Sequence, residues 1–315
     1  MKNYLKGLKE EMFKEGLKDE VINEVIKDHE EMIEAALEEG LDETALEEKF
    51  GNPKDIAQAI SADTTEEESY DDEQGYRLLE TYAINGDDID IEVKLLNESL
   101  EVTQGKGTGI EVYVREMPNI SEYDIGCDGE TFTIKRKNSF FISFRKKHSA
   151  KFRVLLPADL VIDAADINIT NGKVSLKKLQ SNNLKLKTVN GNISLKYMTD
   201  NHHHLTTVNG KIKLSNITAK KTFVSQVSGS TKMKHVTVEK DIHVRSVSGD
   251  VDLKDVTAKD VEYHSVSGSL KGKEVYPENI SLRSVSGDIY IKNTDKDHDV
   301  NIKSKKSVSG NITFE

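Results

Sequence analysis

The chain has 315 residues, of which 36% are apolar and 31% charged, with a net charge of −11. That length admits two or three domains with a lean core, and the single cysteine, Cys127, excludes an internal disulfide. The N-terminus lacks a signal-peptide pattern and no window reaches the ~18 apolar residues of a membrane span, so a soluble cytoplasmic protein, at most peripheral to a membrane, is expected. Residues 1–75 hold 8 Lys/Arg against 24 Asp/Glu, whereas residues 151–315 hold 26 against 18. An acidic head therefore precedes a basic tail, which suits a polyanionic partner for the tail or contact between the two.

Residues 1–62 read as a small all-α domain. Ile22, Val25, Ile26, His29, Ile33, Ala36 and Leu37 recur at spacings of three and four, which places them on one helix face. Gly40 sits where a left-handed residue ends that helix, Asp42 can cap the next, and Leu46 and Phe50 point inward from it. Gly51 ends this helix and Pro53 suits the first turn of another, containing Ile56, Ala57 and Ile60. His29 reads as a packed helix residue, since no second ligand stands at metal spacing. The acidic long helix, the Gly40–Leu41 break and Phe50-Gly51-Asn52-Pro53 followed by Ile56-Ala57 resemble the HAAS helical signalling domain of Gram-positive proteins. That resemblance implies an interaction role, with a protein partner meeting the acidic head. Residues 63–75 are acidic and without apolar periodicity, and read as an extended linker.

Repeats dominate the remainder. Gly172, Gly191, Gly210, Gly229, Gly249, Gly268, Gly287 and Gly310 follow one another at 19, 19, 19, 20, 19, 19 and 23 residues. Asn or Ser precedes each, and Val stands two residues before the last seven. Apolar residues recur two, four and seven positions after most of them, as Ile193, Leu195 and Met198 do after Gly191. The period-2 alternation makes short strands with one face inward. Nineteen residues suffice for one coil of short strands but not for a strand–helix–strand crossover, so residues 158–315 predict stacked coils of a parallel β-helix-like solenoid. The Ser/Asn-Gly pair is expected to form the corner through a positive φ at glycine. Residues 76–157 are strand-like without the period and are expected to form irregular first coils or a β cap. The opening strand "DIDIEV", the segment "RVLLP" ending at Pro157 and the repeated V-[SN]-G-x-[IV]-x-[IL] resemble the bacterial adhesin-like β-strand-repeat family, domain of unknown function 4097. The resemblance implies an all-β solenoid, no established catalytic residues, and a link to Gram-positive cell-envelope stress or regulation.

Little in the pattern is catalytic. His202, His203 and His204 are adjacent, and neighbouring strand residues point to opposite faces, so a closed metal site is not expected. His204 and His243 occupy like positions two coils apart, with Phe223 between, about 9.6 Å apart and too far to share one ion. Ser228, Ser248, Ser267 and Ser286 belong to the repeat and are expected to bond turn backbone rather than act as nucleophiles. Cys127 is expected in a loop as an inert thiol. No phosphate loop or dinucleotide fingerprint occurs, so neither a cofactor nor a metal is expected.

One surface feature is distinctive. Lys177, Lys196, Lys234, Lys254, Lys273 and Lys292 stand five residues after their glycines, and Lys213, Lys232 and Lys271 three after theirs. These odd positions face solvent, about 4.8 Å apart on stacked coils. Such a row either deters sheet aggregation or receives an anionic lipid, an anionic polymer or an acidic protein face. Specific nucleic-acid binding is not expected, because only Tyr290 interleaves with the row. The leading expectation is a non-enzymatic interaction protein presenting a rigid surface. The alternatives are a carbohydrate-active β-helix enzyme and a self-assembling structural protein, a homo-oligomer joined through an open last coil.

Overall fold

A computed structural model describes residues 2–15, 17, 19–38, 46–64, 75–117, 120–137, 149–295 and 298–315. These divide into a helical unit and a β unit.

The helical unit holds α1 (Lys2–Lys14), α2 (Asp19–Glu38), α3 (Leu46–Phe50) and α4 (Pro53–Thr64). The three-four spacing of α2 buries Ile22, Val25, Ile33 and Ala36. Ile22 and Val25 pack with Leu8, Met12 and Ala57, while Ile33 packs with Tyr4, Leu5 and Leu46. His29 is half-buried and its Nδ1 donates to the Val25 carbonyl at 2.9 Å. Pro53 opens α4 as its first residue, and Asn52 caps it, its Oδ1 accepting from the Lys54 amide at 2.9 Å. Gly51 adopts φ +92°, and its carbonyl accepts from the Tyr4 hydroxyl at 2.9 Å. Gly40, Asp42 and nearly all of the acidic linker lie outside the described residues.

The β unit begins with β1 (Arg77–Tyr82), β2 (Asp88–Leu95), β3 (Ser99–Gln104), β4 (Ile110–Arg115), β5 (Tyr123–Cys127), β6 (Thr131–Arg136), β7 (Lys151–Leu156) and β8 (Val161–Ile169). The regular coils follow as β9 (Val174–Thr188), β10 (Ile193–Thr207), β11 (Lys211–Gln226), β12 (Ser230–Ser246), β13 (Asp250–Ser265) and β14 (Leu270–Ser284), then β15 (Ile289–Lys292), β16 (Asn301–Ser307) and β17 (Ile312–Phe314). From β8 and β9 to β17 every pairing between successive coils is parallel, one coil apart. At the other end β3 and β8 stack on β9, β7 on β3, and β2 on β8. Antiparallel β1–β4–β7 and β5–β6 pairs close that end.

Each regular coil turns three corners. In β10, Ile193 and Leu195 point inward, then Met198 and Asp200, then His203, Leu205 and Thr207, all buried. The strict alternation breaks where two successive residues face out, first at Lys196–Tyr197 and again at Asn201–His202. The third corner is the Val-Asn/Ser-Gly turn. Stacking aligns like positions, so one apolar core runs from Ile89 to Ile291. The 20-residue interval accommodates its extra residue as a bulge opposite Lys220, between Val238 and Asp241.

The corner glycine is required for a different reason than φ. None of the eight repeat glycines has a positive φ. Instead, a Cβ on Gly191 would lie 1.9 Å from the Gly172 carbonyl oxygen, and one on Gly210 1.7 Å from that of Gly191. From Gly191 on, each glycine backbone rests directly on the glycine of the coil before it, while Gly172 rests on the Glu98 carbonyl. The positive φ belongs to the first corner, where Lys178, Tyr197, Asn216, His235, Asp255 and Glu274 hold φ between 54° and 57°. Each non-glycine residue there costs about 1 kcal/mol, offset by ladder pairing on both sides.

Hydroxyls and amides secure the glycine corner. The first Ser of "SVSG" is buried and caps the turn: the Gly249, Gly268 and Gly287 amides donate to Ser246, Ser265 and Ser284 Oγ, each at 2.9 Å. The second Ser is exposed, and Ser248, Ser267 and Ser286 donate to valine carbonyls of the preceding coil at 3.3 Å. Ser228 instead meets Asn209 Oδ1 at 2.7 Å, at the end of an amide ladder joining Asn97, Asn171, Asn190 and Asn209 at 2.6–2.8 Å. Where the regular period stops, Asn293 is buried and its side-chain amide pairs with Val275 N and O at 2.9 and 2.8 Å, standing in for a backbone neighbour.

Candidate functional site

The lysines form two columns on the first face of each coil. Lys177 pairs in register with Lys196, Lys196 with Ser215, and Ser215 with Lys234. Lys234, Lys254, Lys273 and Lys292 then follow without interruption. The second column runs Lys213, Lys232, Asp252, Lys271 and Tyr290. All nine lysines face outward, and all but the half-buried Lys177 are exposed. Among the described residues, only Lys232 meets a carboxylate, Asp252 at 3.7 Å. Lys196 Nζ lies 4.9 Å from the Tyr197 ring centroid. Two ammonium groups at the strand spacing repel by about 0.9 kcal/mol in water. Alternate splaying relieves part of this, and an anion would relieve the rest.

The histidine triplet divides as strand alternation requires. His202 and His204 face out, and His203 is buried. The His204 ring stacks against Phe223 with centroids 4.6 Å apart. Phe223 separates it from His243, whose Nδ1 lies 3.1 Å from Glu262. Outside these rings lies an open groove of about 550 Å³ that also meets Lys221 and Asp241. The Lys221 ammonium, hydrogen-bonded at 2.9 Å, holds the Asp241 carboxyl below its ordinary value. Among the described residues, no group of three or more His, Cys, Asp or Glu side chains is placed to hold a metal ion.

Beneath this groove runs a polar line inside the core. Ser181 Oγ donates to Asp200 Oδ1, Asp200 Oδ2 lies 2.5 Å from His203 Nε2, and His203 Nδ1 lies 3.2 Å from Thr222 Oγ1. The Asp200 and His203 side chains have no solvent exposure. Each polar atom has a partner inside the core, so the line reads as structural. The same holds for Glu98, which is fully buried. Its carboxylate accepts from the Leu96 and Asn97 amides (2.8 and 3.0 Å), the Tyr123 hydroxyl (3.0 Å) and Arg136 Nη1 (2.6 Å). Burial, followed by the Glu98 charge, pushes the Tyr123 hydroxyl well above its ordinary value. Cys127 is a half-buried free thiol that ends β5, rather than lying in the expected loop.

Sequence reasoning missed both buried clusters. Alternation allows either His203 alone or His202 and His204 together to face inward, and Glu98 is bracketed by residues of no periodic pattern. The exterior valines were also unread. Val227, Val247, Val266, Val285 and Val308 form an exposed ridge at the glycine corner.

The molecule is thus a β-solenoid whose interior is closed and whose exterior repeats one side chain per coil along each column. Residues 87–253 and 239–313 match the sequence model of the Toastrack DUF4097 family, and the chain belongs to that family. Residues 3–59 match the HAAS model. The chain is similar in structure to a Parabacteroides distasonis protein provisionally termed lipid-binding, at 18% identity and a TM-score of 0.49, over 75% of this chain and 96% of that one. It is also similar to a Bacteroides fragilis protein provisionally termed an adhesin (18%, TM-score 0.43, 75% and 94%). A Parabacteroides merdae protein with the same provisional name is a third (15%, TM-score 0.31, 76% and 96%). No curated protein matches. Among the described residues, no helix is long and apolar enough to cross a membrane.

Proposed function

We propose that the chain is a non-enzymatic binding protein whose solenoid presents its lysine columns to an anionic surface. The acidic helical head meets a protein partner, within Gram-positive envelope regulation. The observation that carries this reading is the run Lys234, Lys254, Lys273 and Lys292. Four successive coils place an exposed ammonium at one height of the same face, with no carboxylate in the column. A flat row of charges at about 4.8 Å spacing suits a repeating anion, a headgroup layer or a charged polymer, better than a single small ligand. A carbohydrate-active enzyme would need unlike acids converging at one height. Asp252 and Asp255, the isolated acids of the regular face, are instead engaged with Lys232 and His235, the latter at 3.1 Å.

The test is co-sedimentation of the full chain with anionic and neutral vesicles over a salt series. The reading expects binding to anionic vesicles that salt weakens and that the triple variant Lys234→Gln/Lys254→Gln/Lys273→Gln abolishes. Equal binding by that variant, or none by the native chain at low salt, removes the lysine columns from the function.

A further inference from the structure

A uniform solenoid offers a convergent site only where its repeat breaks, and its largest break is at the last coil. The interval from Gly287 to Gly310 is 23 residues. On β16 the register shifts: Ile280 faces Ile302, but Ser281 faces Ser304, so Lys303 is the extra residue. Beyond the bulge, Lys305 stands opposite Leu282 and Lys306 opposite Arg283. In the regular coils the column of Leu282 is filled by buried Leu186, Leu205, Val224, Val244 and Tyr263. Lys305 thus takes an inward position on the final coil, where it stays exposed, while Lys306 takes the outward position beside it. The outward column runs Arg245, His264, Arg283 and Lys306 in register.

These side chains border a groove of about 570 Å³, with His264, Arg283, Lys305 and Lys306 along its walls and Val285 and Val308 at its lip. No carboxylate lines it. Among the described residues, none of Arg283, Lys305 and Lys306 has an ion-pair partner, although Lys303, one step before, pairs with Asp260 at 2.6 Å. In a chain with 55 acidic residues, Arg283 and Lys306 side by side on the outward column, without a counter-charge, form a positive well.

We propose that this groove binds a phosphoryl group, with Arg283 as its planar two-pronged donor and Lys306, beside it on the outward column, closing on a remaining oxygen. A doubly charged, multi-oxygen anion satisfies both cations, which a single carboxylate does not. This site is separate from the lysine columns and independent of their function. Its electrostatics agree with the proposal. Burial first, then Arg283, with Arg245 and His243 adding to it, holds the His264 imidazole below its ordinary value against the opposing pull of Glu262. An anion seated on Arg283 reverses that push.

The test uses the full chain and inorganic pyrophosphate. Calorimetry at low salt is expected to show binding that falls by about tenfold or more in Arg283→Gln and in Lys306→Gln, and is unchanged in Lys220→Gln at a distant corner. Proton NMR is expected to show the His264 titration midpoint rising more when pyrophosphate is added than when sodium chloride is added to the same ionic strength, which screens the cations without seating an anion. A second arm uses phosphatidylcholine vesicles with and without phosphatidic acid. With the Lys234→Gln/Lys254→Gln/Lys273→Gln chain, binding to phosphatidic acid vesicles that pyrophosphate displaces and Arg283→Gln weakens supports the groove with a lipid headgroup as the source. Pyrophosphate binding without vesicle binding supports it with a soluble phosphate compound. Absence of pyrophosphate binding at low salt, or equal binding by Arg283→Gln and Lys306→Gln, overturns the proposal.

Discussion

Gly210→Ala tests why the repeat carries glycine. A Cβ at this position would stand 1.7 Å from the Gly191 carbonyl oxygen and 2.6 Å from Thr207 Oγ1. Ordinary contact between carbon and oxygen begins near 3.3 Å, so roughly 1.6 Å must be found between two hydrogen-bonded coils. Opening that gap strains the bond from the Asn209 amide to the Val189 carbonyl (2.8 Å) and that from the Gly210 amide to Thr207 Oγ1 (3.0 Å). Each is worth about 1 kcal/mol, and forcing a methyl into packed backbone adds about 1–3 kcal/mol. The expected loss is about 3–5 kcal/mol, or roughly 6–20 °C of melting temperature for a domain of this size. Gly126→Ala is the matched control. A Cβ there meets nothing within 4 Å, and its φ is not positive, so its effect should stay within about 0.5 kcal/mol. Thermal melts followed by circular dichroism compare the two. If Gly210→Ala melts with Gly126→Ala, backbone approach is not what the corner requires.

Two further outcomes follow from the polar groups. Asp200→Ala leaves His203 and Ser181 without their shared partner inside the core and should cost about 3–5 kcal/mol, whereas Ser181→Ala removes one hydrogen bond and should cost about 1 kcal/mol. Urea denaturation distinguishes them, and equal losses would refute the linked network. The Thr131 and Glu130 amides, at 2.7 and 3.0 Å, hold the Asp128 carboxyl below its ordinary value of 3.8. A depressed folded value means that its stabilisation is complete above that ordinary value and is lost as pH falls through the lower one. Asp128→Asn should therefore flatten the acid limb of denaturation midpoints below about pH 4, and an unchanged limb would contradict this.

The period, the inward positions and the glycine corner were legible because each recurs with the same residue type. The first corner was not. Its left-handed position holds Lys178, Tyr197, Asn216, His235, Asp255 and Glu274, which share a conformation but no chemistry. The stacked ladder imposes that φ, so local propensity leaves no trace of it. The role of glycine was misread for a related reason. A need for positive φ and a need for space select the same residue, and only the 1.7–2.7 Å approaches to the preceding coil's glycine carbonyl separate them. The lysine columns could be placed from the period alone. The basic groove could not, since a one-residue bulge at Lys303 decides that Lys306, and not Lys305, stands opposite Arg283.

The resting of each glycine on the one before has a consequence for how such a chain can change length. Because the contact is backbone on backbone and the register repeats, the 19-residue coil from Val189 to Thr207 makes the same backbone joints on both sides as its neighbour. Excising or duplicating it leaves every other joint intact. The molecule is therefore graduated like a ruler, its reach adjustable in single steps of about 4.8 Å, with both ends and all their special chemistry carried along unchanged.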